Sequence, residues 1–342
     1  MKVGILTGGG DCPGLNAVIR AVVKRGAQFG FKFVGIRDGW SGLLDMSFSP
    51  VTKDMISGLL PKGGTILGTS RTNPFKKPED AERLLSNIKK LALDCIVCIG
   101  GDDTLGVAQK LFEQGMATVG IPKTIDNDLS ATDFTFGFDT AVSIVTEALD
   151  RLHTTTEAHH RVMVVEVMGR HAGWIAVYGG LAGGADMILI PEEPFDVEEV
   201  CRVIRKRKDD GKNFSIIVAA EGAYPKEAGG VITKERTLDA FGHARLGGVG
   251  EFLAQEVEKR TGIETRYVVL GHLQRGGSPT AYDRILATRY GVRAAELINE
   301  KKFGRMVALQ GNKIVDVSLK EATGKAKTVD MEIYRIASVF FG

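Results

Sequence analysis

The chain opens with short apolar runs that alternate with amphipathic stretches, in which apolar residues recur at helical spacing. Over the first 121 residues, strands are predicted at 2–6, 33–36, 95–99 and 118–121. Helices are predicted between them, at 15–23, 79–93 and 105–114. Regular alternation of strand and helix predicts a parallel sheet with helices on both faces.

A long helix is predicted next, at 139–159, and after it the pattern starts again. The second series comprises strands at 163–167, 187–190 and 215–219, and helices at 174–181 and 197–207. This restart predicts a second α/β domain, in keeping with 342 residues, more than one hydrophobic core usually holds. Segment 225–243 is polar and has no period, so we expect a surface excursion there.

Composition narrows the classes of partner. Apolar residues make up 44% and charged residues 25%, as in soluble globular proteins. The net charge of +2 is too small to indicate nucleic acid or a membrane surface as a partner. No apolar run approaches the roughly 18 residues of a membrane span, and the N-terminal run is too short for a signal peptide. We therefore expect a cytoplasmic protein.

Two of the four cysteines, Cys95 and Cys98, form a C-x-x-C pattern that could indicate metal or redox chemistry. They lie in a predicted buried strand, where residues three apart point to opposite faces. We therefore predict that both are core residues.

The first candidate site is a glycine loop, TGGGDCPG at 7–14, between the first strand and the first helix. Glycines let backbone N–H groups crowd around an anion, and the helix that follows adds its positive end. The dinucleotide fingerprint G-x-G-x-x-G is not met, because its last glycine would fall on Pro13. A tight turn without a ligand is the alternative.

The second candidate is GGDDT at 100–104, where a buried strand ends in two glycines. It delivers Asp102 and Asp103 to the carboxyl edge of the predicted sheet, where open parallel sheets bind ligands. Mg²⁺ prefers one or two carboxylates plus phosphate oxygens, which fits this pair. The alternative is that one of them caps the helix that follows.

The third candidate is PKTIDND at 122–128, again directly after a strand. Asp126 and Asp128 are two residues apart, so on an extended loop they face the same side. A carboxylate there could take the proton of a hydroxyl group that accepts a phosphoryl group, and Thr124 could hold a phosphate oxygen. A network of Asx turns is the alternative.

The second half of the chain adds cationic segments and one acid. They are Arg161, the MGR turn at 168–170, Arg266, GHLQRGG at 271–277, and Glu221 directly after a strand. A single surface arginine is usually only solvated. Arg275 stands beside a glycine pair, and its guanidinium could bind phosphate through two hydrogen bonds. Glu221 could hold a sugar hydroxyl.

Taken in order, GGGDCPGLN, GGDDT, PKTIDND, VVEVMGRHAGW, AEG and GHLQRGG resemble the signature set of the phosphofructokinase family, from Gly8 to about Arg289. The resemblance implies an α/β fold of two similar domains, with mainly parallel sheets flanked by helices and the active site in the cleft between them. The donor-binding domain would comprise 1–138 plus about 274–324. The fructose 6-phosphate domain would comprise about 139–273 plus 325–342.

The resemblance also implies roles for individual residues. Asp102 would hold the cofactor Mg²⁺, Asp126 would be the general base, and Lys123 and Asp103 would assist it. Gly9, Gly10 and Arg71 would bind the donor. The sugar phosphate would contact Thr124, Ile125, Asp126, Asp128, Arg161, Met168, Gly169, Arg170, Glu221, Arg266, His272, Leu273, Gln274 and Arg275. Arg161 and Arg266 would come from a neighbouring subunit, which implies a homodimer or homotetramer with shared active sites.

Two positions resemble the pyrophosphate-dependent members of the family. ATP-dependent members carry glycine at the position of Asp103, and the short bacterial ATP enzymes carry glycine at that of Lys123, although some ATP-using relatives share the lysine. A carboxylate at 103 would lie near the α-phosphate of ATP. Two unit charges about 4 Å apart, at an effective dielectric constant of about 20, repel by roughly 4 kcal/mol. Lys123 could neutralise charge on the transferring or leaving phosphate.

The expected reaction is therefore reversible phosphoryl transfer from pyrophosphate to the 1-hydroxyl of fructose 6-phosphate, in glycolysis. An ATP-dependent 6-phosphofructokinase is the nearest alternative. A catalytically inactive sugar-phosphate sensor is another, although Asp102, Asp126 and Arg170 are all in place. A nicotinamide-linked oxidoreductase is a third, and Pro13 speaks against it.

Overall fold

The computed structural model describes residues 1–231, 233–238 and 244–342, with 233–238, 244 and 245 as backbone only. The strands are β1 (Lys2–Thr7), β2 (Lys32–Ile36), β3 (Phe48–Pro50), β4 (Cys95–Gly100), β5 (Thr118–Pro122), β6 (Val162–Val167), β7 (Met187–Leu189), β8 (Ser215–Ala220), β9 (Thr233–Leu238), β10 (Ala244–Leu246), β11 (Thr265–Val269), β12 (Arg305–Gln310) and β13 (Lys313–Ser318). The helices are α1 (Leu15–Gln28), α2 (Trp40–Leu44), α3 (Pro78–Leu91), α4 (Asp102–Glu113), α5 (Phe138–Ala158), α6 (Trp174–Ala182), α7 (Val197–Asp209), α8 (Val249–Thr261), α9 (Ala281–Asn299), α10 (Leu319–Ala322) and α11 (Met331–Ser338).

Two larger sheets organise the molecule. The first has the strand order β13-β12-β5-β4-β1-β2-β3 and is parallel except for its edge strands β3 and β13. The second has the order β11-β6-β8-β7 and is parallel throughout. The prediction of mainly parallel sheets flanked by helices is confirmed. In each sheet the carboxyl ends of the parallel strands meet at one edge, which is where ligands bind.

The central strands are apolar throughout because helices cover both faces of the sheet. On β4, Cys95 packs in the core cluster that contains Val3 and Ile5, whereas Cys98 packs in the one that contains Leu6. The two thiols therefore point to opposite faces, and both cysteines are free and buried. The prediction that they are core residues is confirmed.

Every strand and helix predicted in the first 220 residues is present. Helix α4 begins at Asp102 rather than at 105. Its N-cap is Gly101, and no side-chain hydrogen bond caps it. Asp102 and Asp103 therefore lie in the first turn of the helix, and neither of them is its cap. Their negative charges are still favoured there by the helix dipole.

Later parts of the chain complete both sheets. Strands β12 and β13 add to the first sheet beside β5, and α9 packs along α1. At Gly291 in α9, a Cβ atom would lie 2.7 Å from the carbonyl oxygen of Val18, so glycine permits this close helix approach. The proposed division into two domains stays a prediction.

The expected surface excursion at 225–243 is described only in part. It contains a 3-10 turn at Lys226–Ala228, and β9 pairs antiparallel with β10. Residues 232 and 239–243 of this segment lie outside the described residues. Within the described ranges, none of the helices is long and apolar enough to span a membrane.

Candidate active site

The loops that follow β1, β4 and β5 converge at the carboxyl edge of the first sheet and line one polar pocket. Its residues are Gly9, Gly10, Arg71, Gly101, Asp102, Asp103, Thr104, Lys123, Thr124, Asp126, Asp128, Arg170 and Arg275. The structure thus brings together the three candidate motifs, the arginine of the MGR turn and that of GHLQRGG. Asp126 and Asp128 line the same pocket, as their spacing predicts.

Converging charge, rather than cavity size, marks this pocket as the candidate active site. A larger cavity of about 670 Å³ opens between β7, α7 and α11. Its walls include apolar side chains such as Phe195 and Val200, and its Arg202 is paired with Glu199. None of the candidate motifs reaches that cavity.

Two cationic side chains donate hydrogen bonds to the backbone of the glycine loop. Lys123 Nζ donates a hydrogen bond to the carbonyl oxygen of Gly10 over 2.5 Å, and Arg275 Nη1 donates to that of Asp11 over 3.1 Å. A Cβ atom on residue 10 would lie 2.5 Å from Arg275 Nη1, so glycine leaves the guanidinium its place. This positive end of the pocket suits a phosphate group.

Lys123 is buried, with 2% of its surface exposed. Burial lowers the pKa of its ammonium group, while the negative charges of Asp126 and Asp11 act in the opposite direction. A buried cation with one carbonyl partner is costly unless an anion accompanies it. The buried position of Lys123 therefore favours the binding of a phosphate group next to its ammonium.

The acidic pair at the start of α4 has two different sets of contacts. Asp102 Oδ1 accepts a hydrogen bond of 3.0 Å from the backbone N–H of Gly324. Asp103 Oδ2 lies 3.7 Å from Arg170 Nη2. Over the described residues, no group of three or more His, Cys, Asp or Glu side chains is placed to hold a metal ion. One or two carboxylates are enough for an Mg²⁺ ion whose other ligands are mostly phosphate oxygens. They are too few for a metal ion that is held by protein ligands alone.

Asp126 is the most enclosed acid of the pocket, with 6% of its surface exposed. Its backbone N–H donates to Thr124 Oγ1 over 3.0 Å. Its Oδ1 atom is buried and has no hydrogen-bond partner among the described residues. An unpaired buried polar atom costs about 1–3 kcal/mol, so this oxygen is prepared for a donor that a substrate would bring.

Two further acids are perturbed around Asp126. Burial, together with the charge of Asp126, raises the pKa of Asp128 to about 6. The same two causes raise the pKa of Glu221 to about 7. Asp128 and Glu221 therefore ionise less readily than exposed carboxyl groups, because burial and a neighbouring negative charge both disfavour the charged form.

The MGR turn lies against Glu221 and Gln274. Arg170 has a left-handed backbone, with φ of 57°, and its N–H donates to Glu221 Oε1 over 3.1 Å. The N–H of Met168 donates to Gln274 Oε1 over 3.2 Å, while the amide of Gln274 donates to the carbonyl oxygen of Gly271. The side chain of Gln274 is fully buried, and it supports the turn by accepting this hydrogen bond from the turn's backbone.

Several predicted substrate contacts lie outside the pocket. Ile125 is buried in the core and does not line the pocket. Arg161 precedes β6 and lies 3.5 Å from Glu264, whereas Arg266, in β11, lies 3.0 Å from the same glutamate. These arginines flank the amino ends of the strands, away from the pocket. His272 and Leu273 are exposed, and neither lines the pocket.

Gly101, Thr104 and Gly324 contribute to the site although the motifs gave them no role. The hydroxyl of Thr104 packs against the glycine loop, and a Cβ atom on Gly8 would lie 2.6 Å from it. Thr104 directly follows the acidic pair, which could have indicated it. Gly324 carries no such signal, because its contact with Asp102 joins distant parts of the chain.

Comparison with known proteins gives three close likenesses. The phosphofructokinase family model matches residues 2–298. A pyrophosphate–fructose 6-phosphate 1-phosphotransferase of Streptomyces coelicolor is 57% identical over 344 residues and covers all of both chains. ATP-dependent 6-phosphofructokinase 3 of the same organism is 52% identical over 330 residues, 96% of each chain.

A further likeness is a solved structure, the phosphofructokinase from Saccharomyces cerevisiae. It has a TM-score of 0.82 and 30% sequence identity. The match covers 99% of the present chain and 46% of the yeast chain. The present chain thus spans about half the length of that relative.

Proposed function

The chain belongs to the phosphofructokinase family, and we propose that it transfers a phosphoryl group from pyrophosphate to the 1-hydroxyl of fructose 6-phosphate. The products would be fructose 1,6-bisphosphate and phosphate. Relatives named for pyrophosphate and for ATP are 57% and 52% identical to the chain. The choice of donor must therefore rest on the residues of the pocket.

The placement of Asp103 carries the donor proposal. Its carboxylate lines the same pocket as the glycine loop and Lys123, and its Oδ2 atom lies 3.7 Å from Arg170 Nη2. ATP would bring an α-phosphate and a nucleoside past this negative charge, whereas pyrophosphate ends at its second phosphate. Repulsion of roughly 4 kcal/mol would weaken ATP binding on the order of a thousandfold.

Other residues of the same pocket would bind the donor, hold the metal ion and remove the proton in the proposed reaction. Gly10, Arg71 and Lys123 would bind the donor phosphates. Asp102 would hold Mg²⁺, which neutralises phosphate charge when it is bound. Asp126 would take the proton of the 1-hydroxyl through its unpaired oxygen, since a base must reach the proton it removes.

The acceptor would be held on the opposite wall. Thr124, Asp128, the MGR turn and Glu221 would contact the sugar, and Arg275 would attract its phosphate or the donor's. A turn fixed by Glu221 and Gln274 gives these groups a rigid base. In-line phosphoryl transfer depends mainly on such positioning and on charge neutralisation.

Steady-state kcat/KM with pyrophosphate and with ATP tests the donor, in wild type and in two variants of residue 103. We expect wild type to use pyrophosphate well and ATP poorly. Asp103→Asn removes the charge and keeps the volume, whereas Asp103→Gly removes both. ATP use should rise in both variants and more in Asp103→Gly. A wild-type preference for ATP of tenfold or more would overturn the role given to Asp103.

An ATP-dependent 6-phosphofructokinase is the second candidate, favoured by the 52% identity to such an enzyme. The same assay decides between them. Either outcome leaves the family assignment unchanged, because that assignment does not depend on the donor.

A further inference from the structure

A segment near the end of the sequence crosses the acidic side of the pocket. This strap, residues 324–329, follows α10 and leads to α11. Its Gly324 N–H donates to Asp102, and its Ala326 forms an antiparallel bridge with Leu129. Farther along, the N–H of Val329 donates to Glu192 Oε1 over 2.9 Å. The strap therefore connects the start of α4 with the region after β7, in the second sheet.

Lys327 makes the most contacts within the strap. Its Nζ donates to the carbonyl oxygens of Thr132 and Asp133 over 2.9 and 2.8 Å. The same ammonium lies 5.0 Å from the centroid of the Trp174 ring, within the range of a cation–π contact. Its backbone N–H donates to Asp128 O over 2.8 Å, and its own carbonyl oxygen accepts from Trp174 Nε1 over 3.0 Å.

These contacts fall on the acid loop, residues 124–135, which carries Asp126 and Asp128. The loop is closed internally across its base. Thr135 Oγ1 donates to Thr124 O over 2.7 Å, and Asn127 Oδ1 accepts from the N–H of Thr135 over 3.1 Å. Asn127 Nδ2 donates to Asp133 O, one of the carbonyls that Lys327 holds. A shift at 132–133 would therefore be passed on to the acids.

We propose that Lys327 is a positioning residue for phosphoryl transfer, because its ammonium fixes the acid loop and ties it to Trp174 at the start of α6. Lys327 does not line the pocket itself. The inference rests on the proposed role of Asp126 as general base. A reacting group misplaced by about 1 Å can cost on the order of a hundredfold in rate.

Two acidic residues favour the charged form of the Lys327 side chain. Burial lowers the pKa of its ammonium to about 8, and the charges of Asp133 and Asp128 counteract this. The ammonium therefore stays protonated at neutral pH. A protonated lysine can hold two carbonyl oxygens at once, as observed, because it has three donors.

Lys327→Met is the first test, since methionine keeps an apolar stem and removes the charge and all donors. We expect kcat to fall about tenfold to a hundredfold, with KM for fructose 6-phosphate within about threefold of wild type. Lys325→Met is the matched control. Its side chain lies exposed in the same strap, and the contact of this residue with Ser130 uses its backbone carbonyl. The control should keep wild-type kcat, and Lys327→Arg should restore part of the loss.

A double-mutant cycle with Asp126→Asn separates positioning from general stabilisation. If Lys327 acts through Asp126, Lys327→Met should cost little further kcat once Asp126 is replaced. Multiplicative losses would overturn the proposal. If Asp126→Asn alone keeps full kcat, the proposed base is wrong. If the enzyme turns out to prefer ATP, the cycle is measured with ATP and retains its meaning.

Fluorescence gives a readout that is independent of activity. The chain has two tryptophans, Trp40 and Trp174, so a Trp40→Phe background isolates the ring under Lys327. Lys327→Met should shift the emission of Trp174, and Lys325→Met should not. If Lys327→Met does not fold, Trp174→Phe takes its place, since it removes the bond to the Lys327 carbonyl. Wild-type kcat in that variant would then overturn the proposal.

Discussion

Asp126 sets the electrostatics of its neighbours. Next to burial, its charge is the largest influence that raises the pKa of Asp128 to about 6 and that of Glu221 to about 7. In its protonated form, Glu221 can donate a hydrogen bond to a sugar oxygen, and in its ionised form it can accept one. The sequence predicts Asp126 and Asp128 on one side because their spacing is local. It gives no pKa for Glu221, because the enclosure forms only when the two sheets come together.

The perturbed Glu221 predicts a pH dependence of stability. Its pKa rises from an ordinary 4.5 to about 7 in the folded protein. Between these values the unfolded chain has released a proton that the folded chain retains, so stability falls as pH rises through this window. Glu221→Gln removes the titration.

Urea unfolding of both proteins at several pH values between 4.5 and 7.5 measures the effect. Wild type should lose roughly 3 kcal/mol relative to Glu221→Gln over this range, the equivalent of the shift. Stability curves that stay parallel would show that Glu221 titrates normally.

Secondary structure could be predicted where burial gives a simple pattern. The central strands are apolar on both faces, and α3 has a single buried side, so both produce clear signals. The buried residues of α9 lie on one half of the helix, but they include Asp283, Gly291 and three alanines, while Ile285 is exposed, and this weakens the hydrophobic period. Strand β11 lies at a sheet edge with three exposed residues among five, and it lacks a regular alternation. The sequences of these two elements therefore give little basis for predicting them.

The glycine loop before α1 predicts a split between stability and activity. In Gly10→Ala, the added methyl group would meet the end of the Arg275 side chain, which can move aside. Folding should therefore change little, while Arg275 loses its contact with Asp11. We expect kcat/KM to fall about tenfold to a hundredfold, the equivalent of a hydrogen bond to a charged group.

Gly106→Ala in α4 is the matched control, because a Cβ atom there meets nothing within 4 Å. It should keep full activity and gain about 0.5–1 kcal/mol in stability, as helical Gly→Ala changes do. Thermal unfolding and kinetics of the two variants decide the matter. Equal activity in both would show that the contact between Arg275 and Asp11 is not needed for activity.

At the scale of the whole molecule, the two predicted phosphate-binding arginines are too far from the pocket. Arg161 stands at the amino end of β6 and Met168 directly after its carboxyl end. Seven steps of about 3.3 Å each separate their Cα atoms by roughly 23 Å, more than a sugar phosphate spans. The family resemblance predicts that a neighbouring subunit supplies these arginines, whereas spacing within one chain gives no basis for that prediction, and it stays a prediction. Exposed apolar side chains nearby, Tyr267, Val269 and Leu273, suit an interface with a second copy.

Mixed oligomers test whether sites are shared. Asp126→Asn and Arg161→Ala chains, each nearly inactive alone, should regain activity when co-expressed. One site of each hybrid dimer then pairs an intact Asp126 with an intact Arg161. Random mixing predicts roughly a quarter of wild-type activity in a dimer. Mixing Asp126→Asn with Lys123→Met is the control and should restore nothing, because both defects lie in the pocket of their own chain. Hybrids purified through two different tags that stay inactive in the first mixture would place Arg161 outside the partner's site.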